Sequence, residues 1–211
     1  MTDTAGFIAP SSVLTVMAHP DDAELWAGGT LALCAAAGAT ITVAVPRHDD
    51  QVRNSEAATG ASIMGAELCL FEHASIVEVR ELLLATRPEV VITHPLGDVH
   101  PEHRHLAHLL LDALPEVVIA TGCPRRVYTA DTYNGLTLDG PVAPATIVDI
   151  TTTFETKQRA LAAHSSQPIE DHFGPMAENL ACHWGQRIGV PYAENFVPIP
   201  VLGRLPRSLV L

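Results

Sequence analysis

Cysteine, basic residues and long apolar runs are all scarce in this chain, and each scarcity closes off a class of protein. The four cysteines, Cys34, Cys69, Cys123 and Cys182, stand far apart with no C-x-x-C pair. That spacing excludes a zinc ribbon or a dense disulfide framework and leaves reduced, mostly buried thiols. Lysine and arginine number 12 against 24 acids, giving a net charge of −12. Long-range repulsion then opposes nucleic acid and anionic membranes as partners, and a small or neutral ligand fits better. No apolar run reaches the roughly 18 residues of a membrane span, and no basic segment precedes a long apolar stretch at the N-terminus. A cytoplasmic protein without a membrane partner is expected.

What is present is an alternation of short β-branched runs and longer helical patterns. Val13–Ala18 and Thr40–Val45 read as strands, and the Ala-rich Glu24–Ala37 between them as a helix ended by Gly38. The rhythm continues with helices over Val52–Met64, Ile76–Thr86 and His100–Leu114, and strands over Leu68–Phe71 and Glu89–Thr93. Further on, Val117–Ala120, Arg126–Tyr128 and Thr146–Ile150 read as strands. Phe154–Ala163 and Pro175–Ile188 read as helices, and the proline-rich Phe196–Pro206 as a surface segment. This pattern predicts an α/β fold of three layers, Rossmann-like, with a mainly parallel sheet and ligands beyond the carboxyl ends of its strands. With 211 residues and no repeat or linker, one domain over 1–211 is expected.

Two clusters of chemically active residues sit at such strand ends. The first, His19-Pro20-Asp21-Asp22, follows Val13–Met17; the second, His94-Pro95-Leu96-Gly97-Asp98-Val99-His100-Pro101-Glu102-His103-Arg104, follows Val90–Thr93. Pro101 suits a first helical turn, which makes His100 the helix start and puts His103 one turn later on the same side. Zinc favours imidazole nitrogen and carboxylate oxygen, and a catalytic site usually takes three protein ligands. His19, Asp22 and His103 are the candidate set. An isolated histidine near a helix start is as often a cap or a surface group, and His48, His73, His105, His108, His172 and His183 are read that way. Two clusters at equivalent strand ends are harder to explain so. Gly28-Gly29 lacks the order of a dinucleotide-binding turn and is read as close helix packing.

His19-Pro20-Asp21-Asp22-Ala23-Glu24 with Gly28-Gly29-Thr30, and Asp98-Val99-His100-Pro101-Glu102-His103-Arg104, resemble the two signatures of the PIG-L/LmbE-like zinc-dependent deacetylases. Weaker likenesses at Arg53–Glu56, Pro88–Val91, Lys157, His164–Gln167 and Tyr192–Phe196 extend the resemblance over about residues 12 to 197. It implies zinc, or another divalent metal in its place, on His19, Asp22 and His103, with Asp21 as general base. One carboxylate holds the metal while its neighbour takes a proton from water. His100 is the candidate imidazole for the oxyanion, kept charged by Glu102 or Asp98.

The resemblance also implies a substrate contact for Arg53, whose ordinary reading is a surface ion pair. Arg104 is expected to pair with a carboxylate near the site, Glu24 or Glu56, and His164 to line or buttress the cleft. Trp26 departs from the family's usual glycine; it either packs in the core or offers a platform for a substrate face.

The expected activity is removal of an N-acetyl group from an amino sugar or amino-sugar-containing small molecule. The rivals are a zinc amidase of a non-sugar amine or thiol conjugate, a nucleotidyltransferase, and a metal-binding protein without turnover. The intact Asp21 argues against the last, since pure binding needs no base. A homo-oligomer is compatible with all of these.

Overall fold

A computed structural model describes residues 9–206; the ends of the expected 1–211 domain, and with them the first residues of the N-terminal segment, lie outside the described residues. Five strands form the parallel heart of the fold's order: β1 (Ser12–Val16), β2 (Thr40–Pro46), β3 (Glu67–Phe71), β4 (Val90–Thr93) and β5 (Arg126–Thr129). Between them run α1 (Asp22–Ala36), α2 (Gln51–Ile63), α3 (Ile76–Thr86) and α4 (Pro101–Thr121). A small hairpin, β6 (Leu136–Thr137) with β7 (Gly140–Pro141), precedes β8 (Thr146–Asp149), α5 (Phe154–Ala162), α6 (Gly174–Ile188) and β9 (Ala193–Ile199). The seven-stranded sheet has the order β3-β2-β1-β4-β5-β9-β8, with only its β5–β9 and β9–β8 pairs antiparallel.

The predicted three-layer α/β architecture is therefore present. Leu31, Val43, Met64, Ile92, Leu161 and Ala177 belong to the core on one face, under α1, α2, α5 and α6. Leu14, Val16, Leu83, Val91, Leu106 and Leu110 belong to the core on the other, under α3 and α4. Strand order reverses where β1 lies between β2 and β4, so the loops after β1 and β4 leave the sheet on either side of a crevice. Those loops carry the two clusters.

Two expectations fail for tertiary reasons. Val117–Ala120 is helical, the last turn of α4, although Pro115 lies inside that helix. Leu106, Leu110, Ala113, Leu114 and Val117 keep one buried face at helical spacing, and this packing overrides the local preference of Val117-Val118-Ile119 for a strand. Phe196–Ile199 is no surface segment but part of β9. That strand pairs with β8 over Ala193–Phe196 and with β5 over Val197–Ile199, so Pro198 lies where one ladder alone flanks it.

Helix α1 begins at Asp22, two residues earlier than expected, and is buried along almost its whole length. A Cβ on Gly29 would sit 2.6 Å from Ile150 Cδ1 and 2.7 Å from Ile150 Cβ, so the glycine is required by close packing. Its N-cap, Asp21, has φ 128°, a conformation that costs a non-glycine residue of order 1–3 kcal/mol and is found where function demands it.

Candidate metal centre

His19 and Asp22 enter from the β1–α1 turn, and His103 from the first turn of α4. His19 Nδ1 lies 3.2 Å from Asp22 Oδ2 and 3.1 Å from His103 Nε2. The third edge, His103 Nε2 to Asp22 Oδ2, is 3.4 Å. Two ligands of a tetrahedral zinc, each about 2.0–2.1 Å from the ion, stand about 3.3 Å apart, so the triangle has the size such an ion requires.

The outer nitrogens explain which way the lone pairs face. His19 Nε2 lies 2.6 Å from Glu102 Oε2, which holds the ring proton on that side. His103 Nδ1 lies 3.1 Å from Asp98 Oδ2, off the line of a good hydrogen bond, and neither atom has another partner. With carboxylates facing the outer nitrogens, His19 Nδ1, Asp22 Oδ2 and His103 Nε2 turn inward and converge, and a cation binding there would displace the proton that His19 Nδ1 shares with Asp22. Burial works against a charged His19, yet Asp22 and Glu102 outweigh it and raise its pKa to about 9. Asp22 is also held ionised: burial opposes this, but the rings of His94 and His103 and the His19 hydrogen bond keep its carboxyl well below the usual range.

Two wider groupings, with ligand atoms within 4.8 Å of one another, share these corners: His19 with His100 and His103, and Asp22 with His94 and His103. His94 Nε2, however, accepts from the Ala18 backbone N–H at 2.9 Å, so its lone pair is engaged. The ring stacks on His103 with centroids 3.8 Å apart and ties the two strand-end loops together. This brace was not singled out in the sequence, although its place directly after β4 mirrors that of the His19 cluster after β1.

Asp21 is 6% exposed. Burial and the adjacent Asp22 carboxylate push its carboxyl up to about 7, against the pull of Arg53 and His164. Arg53 Nη2 lies 3.5 Å from Asp21 Oδ2 and donates to the Pro20 carbonyl at 3.2 Å. His164, fully buried, has Nε2 3.4 Å from Glu24 Oε1. A Cβ on Gly60 would meet that same oxygen at 2.3 Å, so glycine alone lets α2 approach this far. Glu56 fastens the loop after α5 to α2 by accepting from Ser165 Oγ and from Ser166 N and Oγ.

Three expected contacts are different in the structure. His100 has no carboxylate on its ring: Asp98 Oδ1 accepts from the His100 backbone N–H at 2.8 Å, and Glu102 is spent on His19. The ring Nδ1 instead caps α4 by accepting from Glu102 N at 3.3 Å. Burial, then His103 and His19 nearby, holds the His100 pKa below its ordinary value. Arg104 pairs with neither Glu24 nor Glu56; its Nη1 donates to the Asp98 and Val99 carbonyls at 2.5 and 3.1 Å and pins the loop before α4. Trp26 is 2% exposed and cannot offer a face to substrate.

A polar centre at the switch point of a three-layer α/β fold defines a class of ligand-binding or catalytic protein, not a chemistry. Comparison narrows it. Residues 14–114 match the PIG-L family, described as GlcNAc-PI de-N-acetylase. The chain is 26% identical to the diacetylchitobiose deacetylase of Thermococcus kodakarensis, over 88% of this chain and 83% of that one. In structure it resembles GalB, the 4-carboxy-2-hydroxymuconate hydratase from Pseudomonas putida KT2440 (TM-score 0.77, 21% identity, 95% of this chain and 100% of that one). It also resembles the N,N'-diacetylchitobiose deacetylase of Pyrococcus horikoshii (TM-score 0.73, 20% identity, 92% and 85%). The stretch that matches the family, residues 14–114, holds both strand-end clusters, and the chain is similar to deacetylases over most of its length.

Proposed function

We propose that this protein is a zinc-dependent deacetylase that removes the N-acetyl group of an amino sugar or amino-sugar-containing small molecule. The observation that carries the reading is the triangle of His19 Nδ1, Asp22 Oδ2 and His103 Nε2 with Asp21 beside it. The family match and the curated deacetylase relative support it; the likeness to a hydratase is one of fold alone.

His19 Nδ1, Asp22 Oδ2 and His103 Nε2 would hold a zinc ion, and the chemistry it would supply there is a water pKa lowered towards about 7 and a polarised acyl carbonyl. The rest falls to the chain. Asp21, with its pKa near 7, takes a proton from the attacking water and returns it to the nitrogen as the C–N bond breaks, leaving acetate and a free amine. His100, 4.8 Å from the His19 ring centroid, flanks the place where the carbonyl oxygen would gather charge. Arg53 holds Asp21 and the Pro20 carbonyl, and so orients the base rather than standing free for substrate.

A cleft of about 400 Å³ lined by His19, Pro20, His48, Glu102 and His105 opens beside the centre and has room for a sugar. The larger cavity, about 470 Å³ between Asn134 and Trp184, contains none of the clustered residues and is no part of this proposal. The reading places one catalytic domain over 1–211 in the cytoplasm, acting on a small molecule.

The test combines metal analysis with acetate release from N-acetylated amino sugars, glycosides and thiol conjugates. Asp21→Asn should keep the metal and lose about 10²–10⁴ of turnover, whereas His19→Ala and His103→Ala should lose both. Full activity in Asp21→Asn refutes the base. Release from thiol conjugates or non-sugar amides alone would replace the substrate class, and no release from any amide by the zinc-loaded protein would refute deacetylation.

A further inference from the structure

Asp22 is buried, and its two oxygens are used differently. Oδ2 forms a corner of the donor triangle and accepts from the His19 backbone N–H at 2.8 Å. Oδ1 accepts from the indole Nε1 of Trp26 at 3.2 Å. The spacing makes this contact natural, because residues four apart on a helix share a face and a helical side chain leans towards the N-terminus, over the preceding turn.

The indole is fixed where it lies. It meets Tyr133 in a T-shaped contact, with ring centroids 5.3 Å apart and planes at 78°. Tyr133 in turn stacks on the His103 ring, centroids 5.8 Å apart and planes at 13°. One aromatic column therefore touches two corners of the triangle, His103 through a ring face and Asp22 through an N–H.

We propose that Trp26 is a positioning residue of the metal centre, whose indole N–H engages Asp22 Oδ1 so that this carboxylate offers the cation a single oxygen, Oδ2. The role rests on the metal-centre reading above and goes beyond it. A carboxylate with both oxygens free can close on an ion through both of them and consume a coordination position that water or substrate needs. An outer partner that occupies one oxygen keeps that position open and fixes the orientation of the other, the part that second partners of ligands commonly play. Glycine at this position lacks the donor, and phenylalanine keeps the bulk without it.

The chain has two tryptophans, so the experiment has a built-in control. Trp184 donates its N–H to Asp131 and is absent from the triangle. Zinc affinity is measured by chelator competition in the unaltered protein, Trp26→Phe and Trp184→Phe. Trp26→Phe should bind zinc about 10–100-fold more weakly, with Trp184→Phe unchanged. In Trp184→Phe, Trp26 is the one remaining indole, and its emission should change through a zinc titration with the midpoint found by competition. This second reading does not depend on Trp26→Phe folding. Zinc binding within twofold of the unaltered protein in Trp26→Phe, an equal loss in Trp184→Phe, or flat emission of Trp26 up to zinc saturation would each overturn the assignment. Absence of zinc binding by the unaltered protein would overturn the metal centre and this role with it.

Discussion

Replacing Lys157 by methionine should lower thermal stability by an amount that the structure sets. Lys157, 2% exposed, places Nζ 2.6 Å from Glu194 Oε1 and 2.8 Å from the Leu25 carbonyl. Glu194 in turn accepts from Gly29 N at 3.0 Å and Thr30 N at 2.8 Å. In a regular helix Gly29 N would donate to the Leu25 carbonyl, so this ion pair is inserted into the hydrogen-bond ladder of α1, bridging α5, β9 and the helix that carries Asp22. Removing one partner of a buried pair costs about 3–5 kcal/mol, because the other charge stays buried. For a chain of this length about 2–4 °C accompanies each kcal/mol, so Lys157→Met should lower Tm by about 6–20 °C. The lower end is expected, since Glu194 keeps its two backbone donors. Glu194→Gln alone should also destabilise, and the double variant should recover a good part of the summed loss. Calorimetry on metal-free protein is the assay, because a bound ion would add its own contribution to Tm. A Tm for Lys157→Met within about 2 °C of the parent, or strictly additive losses in the double variant, would refute the picture of a desolvated, mutually dependent pair.

Asp98→Ala should weaken metal binding about 10–100-fold with little change of fold, since it removes the carboxylate facing His103 Nδ1; chelator competition reads the loss. Gly29→Ala should cost about 1–3 kcal/mol in chemical denaturation, because Ile150 has to yield its Cβ as well as its flexible end. The Glu56 carboxyl lies below its ordinary pKa: burial opposes this, but the Ser165 and Ser166 hydrogen bonds prevail. A folded pKa below the unfolded value of about 4.3 gives stability that is present above that pH and is lost as pH falls through the folded pKa. The Tm gap between the parent and Glu56→Gln should therefore narrow from pH about 6 to pH about 3.5, and a constant gap would contradict the assignment.

The strands and helices up to His103 were legible because each is a local pattern: β-branched runs, a helix ended by Gly38, a proline at the first turn of α4. Both strand-end clusters could be found for the same reason. The order of strands is not local information: ligand chemistry at two strand ends groups His19 and Asp22 with His103, whereas the pairing of β1 with β4 that makes them neighbours appears only in the fold. Val117–Val118–Ile119 carries a local strand preference, but the Leu106–Leu110–Leu114 face continues through it at helical spacing. Sequence neighbours offer His100 a carboxylate partner, yet Glu102 and Asp98 reach past its ring to His19 and His103. His94, Gly60 and the Lys157–Glu194 pair have roles that exist only once distant segments touch.

Two carboxylates adjacent in sequence do different work here because the backbone between them changes direction. Asp22 is the first residue of α1 and enters a cage of donors: His19 N, the His19 ring and the Trp26 indole, with His94 and His103 close by. Its proton is driven off. Asp21, one residue earlier, stands at φ 128° and meets Arg53 at 3.5 Å, too far for that guanidinium to offset burial and the charge of Asp22. Its proton is held until about neutral pH. Pairs of titratable groups whose surroundings drive their pKa values apart mark an acid–base division of labour. Here the separation coincides with one strained residue: relaxing φ at position 21 would redirect that carboxyl and change the burial and charge that hold its pKa up. On the proposed reading the strain at Asp21 serves that division of labour, and buried contacts that over-determine α1, from Gly29 against Ile150 to Lys157 on Leu25, are what the fold has available to sustain it.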